Sequence, residues 1–171
     1  MTTDTDHDAL RTYLNDHLAG STLGADHARQ LEEMLDGEPE AQTMADVANE
    51  IDEDREILLG LMGRLGASKN PVKAATAWVA EKAGRIKFSG VSSQNRALGI
   101  FLALETMSLG VEGKRDLWIA LRTIATDVPE LGTVDLDDLI ARAESQRSRL
   151  ETMREKFARR ALLDSETATV S

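Results

Sequence analysis

Apolar residues recur at helical spacing through four long stretches of this chain, and in the last two the recurrence is broken by charges seven residues apart. Glu105 and Glu112 share a face with Leu98, Phe101, Leu102, Leu109 and Ile119. Arg147 and Arg154 stand among Leu136, Leu139, Leu150 and Phe157. A 3.6-residue period sustained over such lengths specifies helices. Ions on a stripe that should be buried must be paired or bound to something. The pattern therefore constrains what fills the core as well as what surrounds it.

Three of the segments are long and cleanly bounded. The first spans about Asp8 to Asp36, with Leu10, Tyr13, Leu14, His17, Ser21, Gly24, Ala28, Leu31 and Leu35 on one face; Gly37 and Pro39 mark its stop and the next start. The second spans about Pro39 to Leu65, its stripe running Met44, Val47, Ala48, Ile51, Leu58, Met62 and Leu65 with Arg55 in the gap, and Gly66 closes it. The last spans about Leu136 to Leu163.

Between these, Asn70 and Pro71 cap a shorter helix reaching about Lys87. A further long segment, about Gln94 to Thr126, is apolar on two sides: Ile100, Leu104, Met107, Val111 and Trp118 lie opposite the Glu105 face. Such a helix is central or forms half of a homodimer interface. No alternating β pattern occurs. The expected architecture is all-α, an antiparallel four-helix bundle with a short extra helix in the crossover between long helices 2 and 3.

Composition narrows the function classes. A length of 171 residues suits one helical-bundle domain. It is expected to span 1–171, ordered over about 8–163 and frayed at 1–7 and 164–171. Aromatics are only 4%, and no cysteine is present, which excludes disulfides, thiolate metal sites and cysteine nucleophiles. The acidic opening MTTDTDHDAL has no apolar core of a signal peptide, so a cytoplasmic location is expected. No run approaches the ~18 apolar residues of a membrane span. A net charge of -10 argues against nucleic acid and anionic membrane as partners. The basic cluster Lys69, Lys73, Lys82, Arg85 and Lys87 is expected to complement the acidic N-terminal half.

Four strings resemble those of bacterioferritins. YLNDHLAGS is similar to the opening that leads to their first ligand glutamate, and EIDEDREILLGLMGRLG resembles the stretch carrying their first Glu-x-x-His. LALE, ending at Glu105, looks like the string holding the third helix's ligand glutamate, and ESQRSRLET resembles the segment of the second Glu-x-x-His. The resemblance implies a ferritin-like bundle with two long helices, a crossover and two more.

It also implies a di-metal site, and there the chain departs. Ser21 stands at the first glutamate, Glu50 and Glu53 at the first Glu-x-x-His, and Ala143 and Gln146 at the second. The apolar stripe places Ile51 and Asp54, rather than Glu50 and Glu53, nearer the inward face. The three histidines lie at 7, 17 and 27, so the later helices supply no imidazole. A ferroxidase centre fails on ligand count.

Arginine is the expected substitute. Counting outward from residue 130 sets Glu112 beside Arg147 and Glu105 beside Arg154; counting from residue 37 sets His17 level with Arg55. Guanidinium satisfies carboxylate bidentately. The expectation is a core polar network of His17, Arg55, Glu105, Glu112, Arg147 and Arg154 replacing metal, no cofactor, and a noncatalytic binding or structural role as a homodimer through the Gln94–Thr126 segment. On this view Glu105→Ala should destabilise far more than Glu53→Ala. The contrary reading is a metalloprotein with iron or manganese on His17, Asp54, Glu105 and Glu112; a third is a carrier of a small polar molecule. DEDRE at 52–56 lacks the ordered loop of a calcium site, and GVEGK at 110–114 is no phosphate loop.

Overall fold

The computed structural model describes residues 8–67 and 96–163. The short helix and the basic cluster expected between residues 69 and 87 lie outside them. Four long helices form a bundle: α1 (Asp8–Met34), α2 (Ala41–Arg64), α3 (Arg96–Thr123) and α4 (Leu136–Leu163), with a 3-10 turn at Pro129–Thr133 before α4. Each boundary has a local cause. Gly37 and Gly66 adopt positive φ (79° and 60°), which a Cβ would oppose. After α2, the Ala67 amide returns to the Met62 carbonyl at 2.9 Å, closing the last turn. At the start of α4 the Asp135 carboxylate accepts from the Asp138 amide at 3.0 Å, an N-cap.

Helices α1 and α2 form one antiparallel hairpin and α3 and α4 the other; α1 also packs on α3, and α2 faces α4. Cross-links between hairpins fix the directions. His27 meets Ala103 while Arg96 reaches the carbonyls of Met34 and Asp36, so α1 and α3 are antiparallel. Glu40 meets Lys156 and Glu50 meets Arg149, so α2 and α4 are antiparallel. Consequently α2 and α3 run parallel on one diagonal, and α2 ends at the opposite end of the bundle from where α3 begins.

The apolar core is in two parts. One gathers Leu31, Met44, Val47, Leu104, Met107, Leu150 and Phe157; the other Leu14, Leu58, Leu61, Met62, Leu117, Trp118 and Leu139. Between them the interior is polar.

The glutamates of α3 do not face the core as their apolar neighbours led one to expect. Its buried face is Ile100, Leu104, Met107, Val111 and Trp118; of the stripe carrying Glu105 and Glu112, Phe101 is buried and Leu98 and Ile119 half-buried, while Leu109 is 76% exposed and Leu102 44%. Both faces are apolar enough to pack, so periodicity alone did not choose between them.

Candidate functional site

The polar layer between the two apolar clusters is built by three helices. Asp54 of α2 is 1% exposed, and Gln146 of α4 is fully buried. Lys114 of α3 extends its ammonium inward to both, donating to Asp54 Oδ2 and Gln146 Oε1. The Gln146 amide nitrogen donates to Glu50 Oε2 at 3.0 Å and to Asp54 Oδ2 at 3.4 Å. An amide suits this position because it accepts from the cation on one side and donates to carboxylates on the other. Arg149 donates to Glu50, and Arg142 sits 3.3 Å from Asp54 Oδ1 and 3.1 Å from Glu53. Three carboxylates, buried Asp54, half-buried Glu50 and exposed Glu53, are thus met by one ammonium and two guanidinium groups, a balanced set as desolvated charge requires.

Burial dominates the electrostatics of Lys114 and lowers its pKa, with the Asp54 charge and hydrogen bond opposing that shift. For Glu50 burial pushes the pKa up, but the hydrogen bonds from Arg149 and Gln146 and the charges of Arg149 and Arg142 together outweigh it, so the net direction is down. His17, beside Tyr13 in an edge-on ring contact of 4.5 Å, has its pKa lowered by burial in spite of Asp16 and Asp116.

Glu112 lies 2.8 Å from Arg147 Nε, and Glu105 lies 3.5 Å from Arg154 Nη1. Counting outward from residue 130 thus brought the right partners together but set them in the wrong surroundings. The Glu112 and Arg147 side chains are 37% and 43% exposed, so these pairs form the α3–α4 rim and not a core network. Arg154 is held chiefly by Glu151, one turn earlier on its own helix, at 2.7 Å. Arg55 pairs with Glu56 at 3.0 Å and donates to Thr22, and is not brought to His17.

The alternative metal set does not converge either. Asp54 is engaged by Lys114, while Glu105 and Glu112 point to arginines on the rim and His17 meets Tyr13 edge-on. Among the described residues no group of three or more carboxylate or imidazole side chains is arranged to hold a metal ion.

Of the string-matched ligand positions, Glu50 and Gln146 do meet, at 3.0 Å. Ala143 is buried one turn away on α4. Glu105, the best match by string, lies more than two turns from Lys114 along α3 and faces outward. Lys114 and Gln146 were missed as core residues. Their signal was available: Lys114 continues the Met107–Val111–Trp118 spacing, and Gln146 falls between Ala143 and Leu150.

Comparison with protein families, with curated proteins and with solved structures finds no match. Among the described residues no helix is long and apolar enough to cross a membrane.

Proposed function

We propose that this chain is a ferritin-like bundle that acts as a noncatalytic binding or structural protein, with the Lys114 ammonium taking the place of a di-metal centre. The observation that carries the reading is the Lys114 contact with Asp54 and Gln146 in the middle of the bundle. A protonated amine neutralises a buried carboxylate and repels a divalent cation from the same space. The ferritin-like part is supported by the order of the helices, two antiparallel hairpins with α2 and α3 parallel, and by the meeting of Glu50 with Gln146 at string-matched ligand positions. Its partner is a second copy, met through the outward stripe of α3.

Elemental analysis of protein purified without chelator, repeated after exposure to iron(II) and manganese(II), tests the proposal. Far less than one equivalent of transition metal per chain is expected. About one or two tightly held ions per chain, in the manner of di-metal carboxylate bundles, would replace this reading with the metalloprotein one.

A further inference from the structure

The two hairpins meet along two sides of the bundle, and the sides are built from different residues. On the α1–α3 side the backbones approach closely over small buried residues, Ala25 and Ala28 of α1 and Gly99 and Ala103 of α3. His27 Nε2 lies 3.0 Å from the Ala103 carbonyl oxygen there. On the α2–α4 side the backbones stand further apart, and long charged side chains span the gap.

These side chains form rungs. Arg142, Arg149 and Lys156 recur every seven residues, so they share one face of α4. Arg142 meets Glu53 and Asp54, Arg149 meets Glu50, and Lys156 meets Glu40. From Glu40 to Asp54 the rungs cover about 21 Å of α2. Their outer ends reach water: Lys156 is 61% exposed, Glu53 68%, and Glu50 and Arg149 are half-buried. Ion pairs so placed are weakened by salt. Apolar burial is not screened in this way.

Val47 and Met153 lie beneath the rungs. Val47 is seven residues from both Glu40 and Asp54, Met153 falls between Arg149 and Lys156, and both are buried. Lys114 joins the two edges from inside, because it donates to Asp54 of α2 and to Gln146 of α4. We infer that the bundle opens along the α2–α4 seam, with the α1–α3 contact as its hinge and ionic strength setting how often it opens. Each helix keeps its own hydrogen bonds in the open form, and Asp54, Gln146 and the Lys114 ammonium meet water. The inference does not depend on the noncatalytic role proposed above.

The chain has no cysteine, so one introduced thiol reports opening at its own position. Alkylation by iodoacetamide is followed in Val47→Cys and Met153→Cys under the seam and in Ala103→Cys at the hinge, each against that variant's own global unfolding. The two seam thiols are expected to react at least about tenfold faster than global unfolding allows, and the hinge thiol only through it. Raising salt to about 1 M, where the Debye length is ~3 Å, should speed the seam thiols severalfold more. In the Val47→Cys chain, Arg149→Ala with Lys156→Ala should produce the same gain at low salt. A hinge thiol as reactive as the seam thiols, or all three reacting only through global unfolding, would overturn the hinge. Fast seam thiols indifferent to salt and to loss of the rungs would overturn the ionic control.

Discussion

Lys114 reaches Asp54 across a diagonal of the bundle, joining two helices that run parallel and do not pack side by side. The contact lies where the apolar core divides, so one ammonium ties α2, α3 and α4 together at mid-height through Asp54 and Gln146.

Removing one member of this layer should cost far more than removing a rim pair. Lys114→Ala leaves Asp54 buried without its principal counter-charge, an effect of roughly 3–5 kcal/mol. Glu105→Ala and Glu112→Ala remove half-exposed partners and should cost about 1 kcal/mol or less. Urea midpoints of the three variants compare them directly; equal midpoints would show that the layer is not the critical ionic contact.

Replacing the layer wholesale should behave differently from breaking it. The triple change Asp54→Leu, Lys114→Met and Gln146→Leu removes the desolvated ions together with their partners, and such exchanges are neutral or stabilising by about 1–4 kcal/mol. A thermal melt of the triple variant at or above the parent temperature is expected. A variant less stable than Lys114→Ala would mean that the layer supplies net stability.

Acid should weaken the bundle in two distinct windows. Glu50 has a folded pKa below its unfolded value, so its contribution is present above the unfolded value and lost as pH falls through the folded one. His17 also has a folded pKa below its unfolded value, because the buried ring resists protonation, so stability falls as pH drops below ~6.5. Glu50→Gln should flatten the lower limb, and His17→Phe the upper one. Unfolding free energies measured from pH 8 to 3 separate them.

Trp118 is fully buried, yet its indole N–H meets no acceptor among the described residues. Loss of that group should therefore offset the loss of ring area. Trp118→Phe is expected to stay within about 1 kcal/mol of the parent in denaturant melts, against about 3–5 kcal/mol for Trp118→Ala.

Much of the bundle could be read in one dimension. The ends of the first two helices followed from Gly37 and Gly66, because turns are local. Partners such as Glu112 and Arg147 followed from counting along an antiparallel hairpin, because a short connection fixes the register of α3 on α4. Asp54 was found on the inward stripe of α2, but its partner Lys114 was not, because 60 residues separate them.

What the sequence alone determined was four helices, their ends and the in-register pairing within a hairpin. What only the tertiary structure decided was which face of α3 points inward. That choice sent Glu105 and Glu112 to the rim and put Lys114 in the core. The reason is that α3 is apolar on two sides, so its own pattern permits either face. The selection is made by packing against α1 and α4 and by the one buried carboxylate on α2 that needs a cation.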